Sequence, residues 1–505
     1  MLKNRKEREM QSRNKLVRTL KFLGKAVIGL LLFLAFLIFL VHLPLVQNRV
    51  TKRLTTYLST EMKGKVSIRR MEFSIFGSLT IKDAEVWDPG EGKIFDVELI
   101  KLKTNLYDVF SGRFIFDEIY IKGLNGHLTQ NEEGLNIQFI IDAFQSDLPK
   151  DTTVKGLKLD FEKVKLEDIA FDYISTIEGI ALHAKLDNFE STDGVFFTEK
   201  YVITSEKLLL EHAVVDILST ALPDSTNASA TRKSNPDFGL GVGVVIGEVE
   251  FKDCEFSYHV KQVGATPKFD PSHVDLTELN LKAIDIVISP DSLSAVLDNL
   301  SAVLPGIGIG KAMADVKMNR HHLSLSGLDI VAGTNKLQGD ITSWFEETPE
   351  AGFENPGIKM NAKASFNPED FAYILSDDIM AYFKGWQQTD LSLTGDYIPG
   401  RGNMATLALK TSNSQIEAKG IINHIWDDEL LSWQDMDIKT IVGADFRNAL
   451  APFIKDIKLP PSMTLQMRST GSPKQMLLDG KFNSTWGSFE AVSYTHLTLP
   501  TILRV

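Results

Sequence analysis

Cysteine is nearly missing: Cys254 is the single one in 505 residues, so no internal disulfide can form. That disfavours a disulfide-rich eukaryotic ectodomain and leaves a bacterial envelope compartment compatible. Cys254 lies in an apolar alternating run and reads as a small core residue. Acidic charge outweighs basic beyond the N-terminus. The formal charge is −12, yet residues 1–25 carry nine Lys and Arg against Glu7 and Glu9, a net +7 that leaves about −19 for the rest. So acidic a chain lacks the basic face that nucleic acid requires, and no nucleic-acid partner is expected. Catalytic signatures are missing as well. In Gly306-Ile-Gly-Ile-Gly-Lys-Ala312, Pro305 stands where a phosphate loop begins with Gly and Ala312 replaces its Ser or Thr, so a helix C-cap and turn is the better reading. Gly239-Leu-Gly-Val-Gly243 lacks the third Gly of a dinucleotide fingerprint, and His321-His322 has no carboxylate or Cys at metal-ligand spacing. There is no Gly-x-Ser-x-Gly elbow. The expectation is no enzyme, no metal and no cofactor.

What is present begins with a basic arm, residues 1–25, running into Ala26–Val46, which contains no charge. At about 1.5 Å rise per residue this run spans a hydrocarbon core of ~30 Å and reads as a transmembrane helix. A cleaved signal peptide fits less well, because the run exceeds the usual h-region and no small-x-small site follows it. The basic arm keeps the N-terminus cytoplasmic and places the bulk of the chain across the membrane. Residues 47–64 form an amphipathic helix, with Val46, Val50, Leu54 and Leu58 spaced by four. At the other end, Val492-Ser-Tyr-Thr-His-Leu-Thr-Leu-Pro-Thr501 resembles, residue for residue, the translation of a common sequencing adapter. Residues 492–505 are therefore set aside from fold reasoning, and the natural protein is expected to continue past Glu490.

From residue 65 the apolar period becomes two, as in strands with one buried and one wetted face. A cassette recurs at an interval of 85 residues: Leu79-x-Ile81-x-Asp83-x-x-Val86, Val164-x-Leu166-x-Asp168-x-x-Phe171-x-Tyr173 and Val249-x-Phe251-x-Asp253-x-x-Phe256-x-Tyr258. Looser copies centre on Gly123, Ala283 and Gly327. It reads as strand, tight turn, strand, with Asp or Gly supplying the turn. Recurrence of one such unit argues for a stacked, quasi-linear β architecture. Four helices are expected, at Leu135–Phe144, Asp291–Leu304, Pro368–Phe383 and Asn448–Ile457. They read as caps or plugs on a sheet edge. Residues 219–238, rich in Ser, Thr, Asn and Ala, read as a loop between a first β region at 65–218 and a second at 239–491.

The fold class expected is mainly β with a few helices, behind an N-terminal transmembrane helix. With the basic arm, the apolar run and Met62-Lys-Gly-Lys-Val66, the segments Phe76-Gly-Ser-Leu-Thr-Ile-Lys-Asp83 and Ile119-Tyr-Ile-Lys-Gly123 resemble the start of an AsmA/TamB-type envelope protein. Leu135–Phe144 and Asp147–Thr153 are similar to the TamB-like version found in Bacteroidota, and Gly471-Ser-Pro473 with Met476-x-Leu478-x-Gly480 to the family's later repeats. The resemblance implies an elongated, taco-shaped β-groove anchored in the inner membrane and crossing the periplasm. It also implies movement of phospholipid toward the outer membrane or, for TamB-like members, assembly of outer-membrane proteins with a barrel partner. A passive structural tether is the third reading.

The residues support the lipid role separately. One apolar face on so many strands needs a covering layer, too few helices are visible to provide it, and acyl chains could serve. Two halves of the sheet packing on each other into a dry core is the alternative. The candidates to line an apolar groove are Leu79, Ile81, Leu157, Leu159, Phe161, Val164, Leu166, Val249 and Phe251, with Lys82, Lys165 and Glu250 pointing away. A register error of one residue would exchange the two faces.

Overall fold

Alternating sequence becomes strand almost throughout the computed structural model, which describes residues 43–74, 77–104, 114–140, 158–197, 202–220, 243–344, 357–398, 403–425, 427, 429–451 and 458–496. The chain divides into two compact units, Met1–Leu128 with Gly134–Thr152, and Thr129–Glu133 with Thr153–Val505. The apolar run Ala26–Val46 falls, up to residue 42, outside the described residues. No described helix is long and apolar enough to cross a membrane.

In the first unit, α1 (Pro44–Glu61) starts at a proline, which suits a helix's first turn. It leads into β1 (Lys65–Phe73), β2 (Ser78–Trp87) and β3 (Lys93–Lys103), then β4 (Phe114–Phe116), β5 (Glu118–Asn131) and β6 (Gly134–Leu135). Strands β1, β2, β3 and β5 pair in that order, antiparallel. Helix α1 lies against β1: Ser59 Oγ accepts the Val66 N–H at 3.0 Å, and Gln47 Nε2 donates to the Phe73 carbonyl at 3.4 Å.

The second unit holds five long strands, β7 (Lys158–Ser175), β8 (Ile180–Phe197), β9 (Val202–Ser219), β10 (Gly243–Val260) and β11 (His273–Ser289). Four of middle length follow: β12 (Ser292–Leu304), β13 (Ile307–Asn319), β14 (His322–Ala332) and β15 (Asn335–Trp344). Then come β16 (Gly357–Phe366), β17 (Thr389–Tyr397), β18 (Asn403–Lys410), β19 (Gln415–Asn423), β20 (Ser432–Val442), β21 (Met463–Gly471), β22 (Gln475–Ser484) and β23 (Gly487–His496). From β7 onward each strand pairs with the next in sequence, always antiparallel except β9 with β10, which run parallel. That pairing joins the flanks of the expected loop at 219–238 inside one unit. Residues 221–238 of the loop, and 239–242 after it, lie outside the described residues.

Helices are few. A 3-10 turn (Pro368–Phe371), α2 (Asp377–Tyr382) and α3 (Ala444–Leu450) sit in the connections after β16 and β20. Three helix expectations need correction. Residues 292–304 are strand β12, and Pro290-Asp291 is the hairpin turn before it, not a helix start. The run 368–383 is two short pieces, divided where Ser376 caps α2 through its side chain. The helix expected at 448–457 begins earlier, at Ala444, and 452–457 lie outside the described residues. Of 135–144, Leu135 ends β6, residues 138–140 are helical and 141–144 lie outside the described residues. Gly306 turns between β12 and β13 with φ 83°, so its motif is a hairpin turn without a helix.

Candidate functional site

The repeated cassette is not a hairpin. Each copy lies within one continuous strand, with its Asp in left-handed backbone: Asp83 (φ 51°) in β2, Asp168 (φ 54°) in β7 and Asp253 (φ 49°) in β10. Gly123 (φ 64°) does the same in β5 and Gly327 (φ 63°) in β14, whereas in β11 the left-handed residues are Glu278 and Asp285 rather than Ala283. Asp and Gly suit this place because a short polar side chain, or none, tolerates left-handed backbone. The residue shifts the in-out alternation by one position. Apolar residues three apart, such as Leu166 and Ile169, therefore face the same side, and the strand changes period without turning its apolar set to water.

Burial carries this point. Ala283 and Ile286 flank Asp285 at a spacing of three, yet both are buried in one cluster with Val249, against which Leu208, Phe251 and Leu281 pack. Register breaks also line up from strand to strand. The ladder skips Asp168 opposite Asp187, Asp187 opposite His212 and His212 opposite Asp253, so one row of breaks crosses β7 to β10, with left-handed backbone at Asp168, His212 and Asp253.

Register then assembles a single apolar face. Leu159 pairs with Phe196, Phe161 with Gly194, Val164 with Ser191 and Leu166 with Phe189. Leu208 and Leu210 of β9 lie opposite Ser191 and Phe189 on one side and beside Val249 and Phe251 on the other. The same row continues through Ala283 and Leu281, Leu297 and Leu300, and Ala314 and Ala312. Further on it runs through Ile330, Leu337, Ala364, Leu391, Leu409 and Ile416. The expected set Leu159, Phe161, Val164, Leu166, Val249 and Phe251 shares this face; Lys165 and Glu250 are on the other. Leu79 and Ile81 share the equivalent face of the first unit, opposite Leu102 and Ile100, with Lys82 turned away. Leu157 lies outside the described residues.

Side chains on this face are only partly buried. Phe161, Leu166, Leu208, Phe251 and Leu281 all remain accessible to some degree, while the buried members include the small Ala213, Cys254, Ala302, Ala312 and Ala314 beside Val249 and Ile286. In a dry, close-packed core the Leu and Phe would be the buried ones. At Gly194 a Cβ would stand 2.0 Å from Phe161 Cζ, so the Phe161 ring rests on bare backbone.

One end of the strands is closed. Trp386 lies tilted against Phe446 with centroids 5.3 Å apart, meets Phe383 edge-on at 5.1 Å, and donates its indole N–H to the Asp445 carbonyl at 3.3 Å. Asp445 is fully buried and its carboxylate accepts from the hydroxyls of Thr411 and Ser414. Lys268 ties the turn after β10 to this cap, through the Leu375 carbonyl at 2.7 Å and the Asp377 carboxylate at 2.6 Å. Asn335 Nδ2 reaches Asp370 at 2.9 Å. Caps were expected at these two helical segments; the network of Trp386, Asp445, Thr411 and Ser414 that joins them was not.

The opposite face is charged. Lys207 bridges Glu248 at 2.6 Å and Glu250 at 3.1 Å, and Lys252 bridges Glu211 at 3.0 Å, all across the parallel β9–β10 pair. Hydrogen bonds from the lysines hold the Glu211 and Glu248 carboxyls below their usual range, and the same bonds raise Lys207 and Lys252. Two open hollows of about 350 and 450 Å³ also lie on this polar side, over β15–β18, the first among Lys336, Lys363, Asp390 and Lys410. Among the described residues no group of three His, Cys, Asp or Glu could hold a metal. Comparison with family models, with curated proteins and with solved structures finds no match for this chain.

Proposed function

We propose that this protein is an inner-membrane-anchored periplasmic conduit for phospholipid of the AsmA/TamB kind, its acyl chains lying along the apolar face of the sheet. The observation that supports this reading is the combination of continuity and incomplete burial. One apolar face is kept in register through β7 and the strands that follow it, yet its Leu and Phe side chains stay accessible. Such a face gains from an apolar occupant at roughly 25 cal/mol per Å² removed from water. Aliphatic chains fit a long strip without polar groups to satisfy, whereas a folded protein partner would ask for hydrogen-bonding positions among them.

Leu159→Asp and Phe251→Asp test the reading in the full chain. A charge on an open face can reach headgroups or water, so both variants keep their abundance and protease resistance while losing co-purified phospholipid, measured by mass spectrometry. In a closed core the same charge is buried without a partner and unfolds the domain. Degradation of both variants would therefore overturn the conduit.

A further inference from the structure

Helix α1 has two faces, and the sheet uses one of them. Gln47, Thr51, Leu54 and Leu58, spaced four, three and four, turn toward β1, where Thr51 is buried and Gln47 and Ser59 bond the strand's backbone. Val46, Val50, Arg53 and Tyr57 repeat the same spacing on a second stripe, and this one stands in solvent: Val46 is 38% exposed, Val50 40% and Tyr57 60%. Arg53 lies in this stripe and Arg49 and Lys52 flank it, all three exposed, and none forms an ion pair with another described residue. An apolar stripe edged by unpaired cations on an otherwise acidic chain has the make-up of a helix lying in a lipid–water interface.

We propose that α1 is a headgroup-reading element, docked flat on an anionic phospholipid surface by Val46, Val50 and Tyr57, with Arg49, Lys52 and Arg53 meeting the phosphates. The occupant is argued from charge and from continuity. The uncharged run ends at Val46, inside the first turn of α1, so a membrane holding that run presents its headgroups to this stripe. This inference rests on the anchored reading given above. Its consequence is a chemical preference at the entrance: α1 would gather anionic lipid where the first strands begin.

The test uses the full chain, with Cys254→Ser, reconstituted into vesicles of phosphatidylcholine alone or mixed with phosphatidylglycerol. An environment-sensitive dye is placed at Val50→Cys, at Tyr57→Cys or, as control, at Lys419→Cys. With the anionic vesicles the dyes at 50 and 57 shift to the blue and are quenched by brominated lipid, while the dye at 419 stays in water. The shift is smaller with neutral vesicles and reverses at about 1 M salt, where the screening length falls to roughly 3 Å. It disappears in Arg49→Glu/Lys52→Glu/Arg53→Glu, although that variant still floats with the vesicles. Dyes that stay in water on a floating chain would overturn the role of α1 alone, whereas a chain that does not float would remove the anchor as well. A shift indifferent to lipid charge, or already present in detergent between cross-linked chains, would also overturn the proposal, the latter by naming protein as the occupant.

Discussion

Strands β7–β11 and strands β16–β19 solve the same problem in two ways. The long group runs 17–18 residues per strand, about 60 Å at ~3.3 Å per residue, and every strand carries or pairs with a left-handed kink. The short group runs 8–10 residues and has no left-handed residue in any strand: Ile358, Met360, Ala362 and Ala364 alternate without a break. Over ten residues plain alternation holds an apolar face on one side. Over eighteen, strand twist carries the side chains progressively away from that side, and a residue in left-handed backbone resets them. The long group also holds the parallel pair and the charged ladder across it, while the short group carries the helical cap. Length, then, is managed by kinks and charge in one region and by a buried plug in the other.

The largest effect is expected where the short group is plugged. Asp445→Ala removes the charged acceptor of the Thr411 and Ser414 hydroxyls in a fully buried site, leaving them only longer bonds to the Ser414 carbonyl and Asn413, and should cost about 2–3 kcal/mol, read by urea unfolding. Early proteolysis should appear around 411–450 while β7–β11 remain protected. Cleavage beginning equally in both regions would mean that the cap does not act locally.

A middle effect separates kinked from straight strands. Asp253→Val places a β-branched side chain in left-handed backbone and should lose about 1–2 kcal/mol, whereas Asp253→Gly should be neutral or better. The matching change in a straight strand, Lys363→Val, should stay within about 0.5 kcal/mol. Equal losses at 253 and 363 would remove the kink's role in the comparison.

The smallest effect concerns the charged ladder. Glu211 and Glu248 have depressed carboxyl pKa values, so their contribution is present above the unfolded value and fades as pH falls through the folded one. Lys207 and Lys252 are raised, so theirs is complete below the unfolded lysine value and fades as pH rises through the folded one. Amide protection factors at β9–β10, corrected for intrinsic exchange, should therefore fall at both extremes of pH, and Glu248→Gln should flatten the acid limb. An acid limb unchanged in that variant would place its cause elsewhere.

Much of the fold was legible because alternation survives in short strands and the cassette marks the long ones. Val164-x-Leu166-x-Asp168-x-x-Phe171 already contains the face change, written as a step of three among steps of two; what the pattern could not say was that the chain continues straight through Asp168. The same step misled at Ser292–Leu304. Leu293, Leu297, Leu300 and Leu304 are spaced four, three and four, as on a helix, because the ladder shifts between Leu297 and Leu300. The cap's network was illegible for another reason: Asp445 in the first turn of α3 and Thr411 and Ser414 in a hairpin turn are ordinary surface types until tertiary contact buries them.

Photocrosslinking tests the central claim most directly. A photoreactive residue at Leu166 or Phe251 of the full-length protein in its membrane should capture phospholipid, and the same residue at Lys165 or Glu250 should not. Capture at all four positions, or at none while the protein remains folded, would contradict an apolar face that takes acyl chains.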